Sequence, residues 1–526
     1  MDELKYLGRK VATGALNRRD FMGRASALGL TAAAASTLLA GAAKAAGPNK
    51  GGILRAGLQG GESTNSLDPA TFASNVPFML GRSWGDTLVR VSADGEIENR
   101  LAESVEASAD AKTWRFKMRS GVEFHNGKSV TAEDAMKTLE RHSGEETKSG
   151  ALGIMRGIDT LTVDGDTLVV GLKQGNADLP YLMADYHLIV QPGGGMDNPA
   201  AGIGTGPYTI EIDEPGVRHG GKKFANDWDD ARGHADEFEI LVINDATART
   251  AALQGGQVDM INRLEPKIVD LVKRVPGVTV QSVAGRGHYV MIMHTNTAPF
   301  DNNDLRLALK YAIDREEMVE KILRGYGTIG NDLPINASYP LFDADIPQRM
   351  HDPDKAAFHY KKSGHDGPIV LRTADAAFPG AVDASALLQQ SAAKSGINVE
   401  VKREPNDGYW SEVWNKQPFC CSYWGGRPTQ DQMYSTAYLS SADWNDTRFN
   451  NPQFDDLLVQ AKSELDLGKR KQMYSDMAYM LRDEGGLICP MFNDFIDATG
   501  DKVGGYEDDP NAELMNGLAF SKCWVA

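Results

Sequence analysis

Residues 421–431 read Cys421-Ser422-Tyr423-Trp424-Gly425-Gly426-Arg427-Pro428-Thr429-Gln430-Asp431. The segment follows an apolar run, so we expect a short buried strand that ends in a turn. The two glycines allow a ligand or another backbone to approach closely. An arginine lies in the turn, with an aromatic residue before it and a carboxylate after it. Such a segment is suited to hold something small and charged.

The rest of the chain has the composition of a globular protein. It has 526 residues, of which 24% are charged and 41% hydrophobic. This length is sufficient for two or three domains with cores of their own. The composition excludes a disordered chain, a coiled coil and a collagen repeat.

The N-terminal residues form a separate region. A paired arginine, Arg18-Arg19, precedes a weakly hydrophobic stretch from Ala25 to Ala43, and Ala43-Lys44-Ala45 offers an A-x-A cleavage site. Residues 1–45 therefore resemble a twin-arginine export signal, with an ordinary amphipathic helix as the alternative. The stretch is short and alanine-rich for a membrane span, and no cysteine lies near the cleavage site. We expect a mature protein that is periplasmic, not lipidated and not inserted in a membrane.

The net charge and the cysteine and histidine content exclude some classes of partner and some kinds of site. The net charge of −17 becomes −21 when residues 1–45 are removed, which argues against nucleic acid or anionic lipid as partners. The four cysteines are Cys420, Cys421, Cys489 and Cys523; they form no C-x-x-C pair, and we expect buried thiols, although three disulfide pairings are open. The ten histidines show no metal-ligand spacing, so we expect neither a metal site nor a cofactor.

Alternating strand and helix patterns run along the whole mature chain. The expected strands are 53–58, 113–119, 161–170 as a hairpin, 237–243, 279–295, 369–373, 397–402 and 487–492. The expected helices begin at Thr131 and span 246–254, 305–313, 381–395, 407–415, 453–465 and 468–484. This alternation predicts an α/β protein.

Several landmarks occur together in a known order. They are Leu67-Asp68-Pro69, Trp114-Arg115-Phe116, the segment from Gly121 to Asp134, Gly204-Thr205-Gly206-Pro207-Tyr208, the segment from Asn296 to Leu309, and Ala312-Ile313-Asp314-Arg315. In this order they resemble the family-5 extracellular solute-binding proteins of ABC importers, the peptide-, dipeptide- and nickel-binding group. The resemblance covers nearly the whole mature chain.

The resemblance implies a periplasmic-binding-protein-like fold. Two α/β lobes are joined by a hinge, with an extra subdomain inserted in the first lobe. The expected first lobe comprises 46–77, 202–288 and 494–526, the inserted subdomain 78–201, and the second lobe 289–493. A ligand would lie between lobes that close over it.

The segment from Trp424 to Asp431 departs from the family pattern. Peptide binders of the family usually carry Trp-x-x-Asp here, and the aspartate pairs with the amino terminus of the ligand; this chain has Arg427 at that position. A guanidinium repels an ammonium but holds a carboxylate, phosphate or sulfonate through paired hydrogen bonds. Three interpretations remain: the ligand presents an anion to Arg427, Asp431 takes over the amine, or the two side chains pair and only shape the loop.

Other residues are candidates for ligand contact, each with a structural alternative. Trp424, beside Gly425 and Gly426, could stack on a ligand or belong to the core. Trp410, Trp444 and Asn445 could line the cleft or serve as core and loop anchors. Glu62 follows the first strand, where such folds place ligand contacts. Arg286 borders a strand near the predicted hinge, and we interpret it as a surface arginine.

These observations predict a binding protein without catalytic residues. The main hypothesis is a monomeric receptor that captures a small peptide-like or opine-like, anionic solute and delivers it to the transmembrane permease subunits of an ABC importer. The alternative is an exported cofactor-containing enzyme, which the twin-arginine route favours and the absence of a nucleophile, metal or cofactor motif opposes. A receptor that acts in sensing or chaperoning is a third possibility.

Overall fold

A computed structural model describes residues 48–144, 146–464 and 466–526, together with Phe21. The paired arginines Arg18 and Arg19 and the predicted cleavage site lie outside the described residues.

The described residues form strands and helices in alternation. The strands are β1 Ile53–Leu58, β2 Val89–Val91, β3 Ile97–Asn99, β4 Ala102–Ala107, β5 Thr113–Met118, β6 Ile158–Asp164, β7 Thr167–Leu172, β8 Tyr208–Glu214, β9 Arg218–Lys223, β10 Glu237–Val242, β11 Met260–Ile261, β12 Val278–Met293, β13 Gly327–Ile329, β14 Ile369–Thr373, β15 Val399–Arg403, β16 Phe419–Trp424, β17 Leu487–Gly500, β18 Val503–Gly504 and β19 Trp524–Val525.

The helices are α1 Asn75–Trp84, α2 Ala132–Ser143, α3 Leu152–Met155, α4 Leu179–Met183, α5 Ala246–Gln254, α6 Val269–Val272, α7 Asn303–Ala312, α8 Arg315–Met318, α9 Pro353–Ser363, α10 Ala381–Ala393, α11 Tyr409–Glu412, α12 Gln430–Ala437, α13 Pro452–Ser463, α14 Leu467–Glu484 and α15 Ala519–Lys522. A π-helical turn spans Val319–Leu323, and a turn with left-handed residues spans Glu513–Asn516.

One large mixed sheet runs through most of the chain. Its order is β15-β14-β16-β12-β17-β11-β1-β10-β9-β8, and β13 pairs with β17. The strands β14, β15 and β16 are parallel to one another, as are β1, β10 and β11, whereas β12 and β17 are antiparallel to each other. A separate four-stranded antiparallel sheet has the order β4-β5-β7-β6.

The two longest strands connect the halves of the large sheet. Exposed residues alternate with less exposed ones along the first half of β12, whereas its last seven residues are buried. The ladder with β17 changes register between Ala284 and His288. The predicted boundaries, 288/289 and 493/494, fall inside these two strands. We therefore propose that β12 and β17 cross together from the first lobe to the second and act as the hinge.

The buried apolar residues form distinct cores. One cluster lies entirely within residues 289–492, and a second lies within 88–190 around the four-stranded sheet. A third joins the first strand, helix α1 and the C-terminal residues 503–523. Separate cores of this kind are expected of lobes that move relative to each other.

Helix α1 crosses the predicted boundary between residues 77 and 78. Phe78, Met79, Leu80 and Trp84 belong to the core of the first lobe, together with Phe72. We therefore propose that the whole helix belongs to the first lobe, although it also contacts the inserted subdomain through the hydrogen bond from Arg82 to Ala184. The reason is that its apolar face continues past residue 77 without interruption.

Candidate functional site

The segment after β16 forms a tight loop against β12. Trp424 pairs with His288 at the end of the antiparallel ladder. Gly426 has a φ of +81°, and a Cβ at this position would lie 2.4 Å from the Cβ of Arg286. Glycine alone satisfies both the left-handed backbone and the close contact. The loop thereby places Arg427 directly after a fixed turn.

This loop borders a cavity between the predicted lobes. The cavity has a volume of about 120 Å³. Its walls include residues from 73–82 in and before α1, 181–186 in the inserted subdomain, 511–516 near the C terminus and 423–428 in the second lobe. The site is therefore built from segments that are distant in sequence and are brought together across the cleft.

Arg427 lies in the wall of this cavity, where its guanidinium is close enough to Tyr186 and Asp185 to oppose the rise in pKa that burial causes in each, but it forms no ion pair among the described residues. Its Nη1 donates to the carbonyl of Gly426 at 2.8 Å, and its backbone amide donates to the hydroxyl of Tyr339 at 3.0 Å. Its Nε and Nη2 are buried and have no hydrogen-bond partner among the described residues. A buried donor without a partner is costly, which makes these two nitrogens candidates for contact with an acceptor.

Two further arginines face the same space. Arg82 donates from Nη2 to the carbonyl of Ala184 at 3.3 Å, and its buried Nε has no partner among the residues described. Burial lowers the pKa of Arg82 to about 10. Arg286 donates from Nη1 to Oδ1 of Asn511 at 3.3 Å. Arg286, which the sequence suggested as a surface arginine, is half-buried and lines the cavity.

The carboxylates at the cavity wall already have partners. Oδ1 of Asp185 lies 2.6 Å from Nδ1 of His187, and Oε1 of Glu513 lies 2.8 Å from Nε of Arg263. Burial raises the pKa of Asp185, but the charges of His187 and Arg427 outweigh it, so this pKa lies below its ordinary value. The cavity therefore offers positive charge in a chain whose overall charge is negative.

The N-terminal end of α1 adds neutral donors to the first-lobe wall. Ser74 precedes the helix without capping it through its side chain. The Oγ of Ser74 and the Nδ2 of Asn75 are buried and lack partners within the described part of the chain. Both residues line the cavity, where the positive end of the helix dipole also favours an anion.

A smaller aromatic compartment adjoins this cavity. It has a volume of about 50 Å³, and its lining residues are Ala73, Tyr186, Trp410, Trp414, Tyr423, Trp424, Gly425, Arg427 and Trp444. Trp414 and Trp424 both donate their indole N–H to Oδ2 of Asp446, at 2.9 and 3.1 Å. Burial raises the pKa of Asp446 to about 7. Because these two indoles are held by one carboxyl group, their rings are fixed in place.

The structure brings together most of the residues that the sequence suggested. Gly425, Gly426 and Arg427 line the larger cavity, and Trp410, Trp424 and Trp444 line the aromatic compartment. These six residues form one continuous wall around the loop after β16.

Asp431 lies elsewhere. It is fully buried in the first turn of α12, where Ser435 donates to its Oδ1 at 3.2 Å and Lys462 lies 3.4 Å away. Its Oδ2 accepts a hydrogen bond from Asn176 at 3.5 Å. Asp431 therefore neither lines the cavity nor pairs with Arg427.

Glu62 and Asn445 are also outside the cavity wall. Glu62 bridges the lobes, since its Oε1 accepts the backbone N–H of Trp410 at 3.0 Å. Burial raises the pKa of Glu62. Asn445 organises its own loop by donating to the carbonyl of Phe449 at 2.7 Å.

The sequence did not identify the contribution of α1 to the site. Asn75 and Arg82 are seven residues apart, a spacing that places them on one helical face but does not show what that face contacts. Their proximity to Arg427 depends on the packing of one lobe on another.

Metal-ligand groups, disulfides and membrane-spanning helices are absent from the described residues. Within residues 48–144, 146–464 and 466–526, no group of three or more His, Cys, Asp or Glu side chains could hold a metal ion. The four cysteines are buried, and none forms a disulfide. In the same described part of the chain, no helix is both long and apolar enough to span a bilayer.

Comparison with known proteins identifies related binding proteins. The glutathione-binding proteins GsiB of Shigella boydii serotype 4 (strain Sb227) and Escherichia coli (strain K12) are each 24% identical to this chain over 471 residues. Each alignment covers 85% of this chain and 90% of the relative.

Solved structures show the same fold. The periplasmic binding protein AgaA from A. tumefaciens R10, in complex with agropinic acid, has a TM-score of 0.83 at 23% identity and covers 90% of this chain and 99% of its own. DppA from Helicobacter pylori, in complex with the peptide STSA, has a TM-score of 0.82 at 21% identity and covers 91% and 98%. These matches confirm the predicted α/β fold of the periplasmic-binding-protein type.

A family model provides the assignment. The model of the family described as "bacterial extracellular solute-binding proteins, family 5 Middle" matches residues 96–446, which is more than half of the chain. The chain therefore belongs to the family-5 bacterial extracellular solute-binding proteins.

Proposed function

We propose that this protein is the substrate-binding receptor of an ABC importer and that its ligand is a small, anionic, peptide-like or opine-like solute. The ligand is captured between the two lobes and delivered to the permease without chemical change. The observation that carries the anionic ligand is Arg427, which lines the cavity and whose buried Nε and Nη2 have no hydrogen-bond partner among the residues described.

The surroundings of Arg427 support this ligand class. Arg82 and Arg286 add positive charge, whereas Asp185 and Glu513 are already paired. A carboxylate that accepts two hydrogen bonds from Arg427 would receive the charge-assisted contacts that are strongest in proteins. Glutathione and agropinic acid, the ligands named for two related proteins, are both carboxylic acids.

The position of Asp431 argues against the peptide-amine alternative. Its carboxylate is buried near Lys462, Ser435 and Asn176, away from the cavity. A ligand ammonium in the cavity would instead meet Arg427, which repels it.

Native mass spectrometry of the mature protein, purified gently from periplasm and followed by release of the bound molecule, tests this proposal. We expect one acidic compound or a narrow set of acidic compounds. A mixture of ordinary peptides with free amino termini would contradict the role of Arg427 but not the family assignment. A tightly held redox cofactor would contradict receptor function.

Calorimetric titration of the released ligand tests the arginine directly. Arg427→Ala should weaken binding by about 1.5–3 kcal/mol, the range for hydrogen bonds to charged groups. Arg427→Lys should recover only part of the affinity, because an ammonium does not form the paired contacts of a guanidinium. Arg115→Ala, which removes an exposed arginine on β5, is the control and should bind normally. Equal affinity of Arg427→Ala and the wild type would exclude the anion contact.

We also propose export through the twin-arginine route, a periplasmic location without a lipid anchor, and a monomeric state. The export route is proposed from Arg18-Arg19, the apolar stretch that follows this pair and the A-x-A site. Replacement of both arginines by lysine should keep the precursor in the cytoplasm, as cell fractionation would show. Unimpaired export of this variant would indicate another route.

A further inference from the structure

The aromatic compartment is a second, chemically different part of the binding site. Four tryptophans surround it, and the rings of Trp414 and Trp444 meet nearly at right angles with centroids 5.5 Å apart. Trp424 and Trp444 pack at 5.9 Å and Trp410 and Trp414 at 6.0 Å, again edge to face. Such a network presents ring carbon atoms, which favour an apolar occupant with a flat shape.

Arg427 stands at the junction of the two spaces. It lines both of them, and its guanidinium carbon lies 5.7 Å from the centroid of the Trp424 ring. A cation in the aromatic compartment would be repelled by this buried guanidinium. The compartment therefore differs from an aromatic cage for quaternary ammonium ions, which requires the aromatic faces to be unoccupied by another cation.

Contacts from the inserted subdomain complete the compartment. Trp444 packs edge to face on His187 at 4.9 Å. A Cβ at Gly150 would lie 2.6 Å from Cζ2 of Trp444, so this subdomain touches the indole directly. Tyr186, from the same subdomain, lines both spaces. The compartment thus exists only where the lobes meet.

We infer that the aromatic compartment binds an uncharged aromatic ring of the same ligand whose anionic group contacts Arg427. The ligand class is thus a small carboxylate or related anion with an aromatic group a few bonds away. This inference rests on the proposed receptor function and adds the second recognition element to it.

Three probes separate the two recognition elements. N-acetyl-L-phenylalanine carries both the carboxylate and the ring, N-acetyl-L-alanine carries the carboxylate alone, and L-phenylalaninamide carries the ring with a cation. We expect N-acetyl-L-phenylalanine to bind about tenfold or more tightly than N-acetyl-L-alanine, because it buries more apolar surface. It should also change the tryptophan fluorescence, and L-phenylalaninamide should not bind.

Variants assign the effect to the compartment. Trp444→Leu should abolish the preference for N-acetyl-L-phenylalanine over N-acetyl-L-alanine, and Trp444→Phe should retain part of the preference. Trp524→Leu removes a half-buried tryptophan near the C terminus and is the matched control. Thermal melts of all three variants report any loss of folding.

The outcomes distinguish the inference from the proposed function. Equal binding of the two N-acetyl amino acids, or no saturable binding of N-acetyl-L-phenylalanine at millimolar concentration, would overturn the aromatic subsite. If the two N-acetyl amino acids bind equally, loss of both affinities in Arg427→Gln would still support anion capture. Conversely, a ring preference that disappears in Trp444→Leu, with unchanged binding by Arg427→Gln, would retain the subsite and exclude the anion contact.

Discussion

Arg232 and Arg427 are two arginines with similar environments and different commitments. Each guanidinium lies over a tryptophan ring, at 5.0 Å from Trp228 and 5.7 Å from Trp424. Arg232 forms ion pairs with Asp86 at 2.7 Å and with a second aspartate, whereas Arg427 forms none among the described residues. Aromatic contact therefore does not separate a structural arginine from one available to a ligand, whereas ion pairing does; Arg232 is also buried, and Arg427 is half-buried.

Matched substitutions of the two arginines should have clearly different effects on the free energy of unfolding. Arg232→Met should lower the free energy of unfolding by about 3–5 kcal/mol, because it removes the ion-pair partner of Asp227 and leaves the buried Asp86 with only the more distant Arg100, at 3.5 Å. Arg427→Met should lower it by no more than about 1.5 kcal/mol, because this guanidinium forms no ion pair among the described residues and donates one hydrogen bond, to the carbonyl of Gly426. Denaturant unfolding of both variants measures the difference. Similar losses would mean that Arg427 is also a structural residue.

Asp446 differs from both arginines, because its buried carboxyl group is neutralised by protonation rather than by an ion pair. Burial raises its pKa to about 7, against an ordinary value near 3.8. The folded protein therefore binds more protons than the unfolded chain between about pH 4 and pH 7, and stability falls as the pH rises through this window. Above pH 7 this contribution is constant.

Asp446→Asn should remove this pH dependence. The amide oxygen can still accept the indole N–H groups of Trp414 and Trp424. The variant should gain on the order of 3 kcal/mol relative to the wild type between pH 4 and pH 7. Unfolding curves at several pH values give the difference in unfolding free energy between the variant and the wild type. The titratable groups that both proteins share contribute equally and cancel in this difference. A constant difference would show that Asp446 is ionised throughout.

The two glycines before Arg427 allow a finer test. Gly426→Ala should destabilise the protein by about 1–3 kcal/mol, because its φ is +81° and the new methyl group would meet Arg286. Gly425→Ala should leave stability unchanged, since no atom lies within 4 Å of a Cβ at this position. Thermal denaturation compares the two variants. Equal stability would indicate that the loop adopts another conformation.

Local sequence patterns were sufficient for most of the fold. The predicted helix 246–254 and the strands 53–58 and 369–373 have the observed bounds, because each pattern matches the element that packs there. The predicted helix 407–415 shortens to Tyr409–Glu412, because Gly408 and Asn415 adopt left-handed conformations at its ends. The predicted strand 487–492 extends to Gly500, where pairing with β11 and β12 continues it.

The candidate site could be predicted only in part. The loop around Arg427 was recognisable because an arginine replaces the aspartate that is usual in the resembled family. Ser74, Asn75 and Arg82 were not recognisable, since their position opposite Arg427 results from the contact between lobes. Asp431 was proposed as a ligand contact from its nearness in sequence, yet the first turn of α12 directs it away from the cavity.

The hydrogen bonds across the cleft have a consequence for the rate at which cargo leaves. Gln59 donates to the carbonyl of Asp375 at 2.6 Å, Ser63 donates to Asp407 at 3.1 Å, and Glu62 accepts from Trp410. A ligand behind these contacts dissociates only after they break, so its residence time is set by the opening of the lobes. Tight binding would then be observed as a slow dissociation rate. The permease would trigger release of the ligand by separating the lobes.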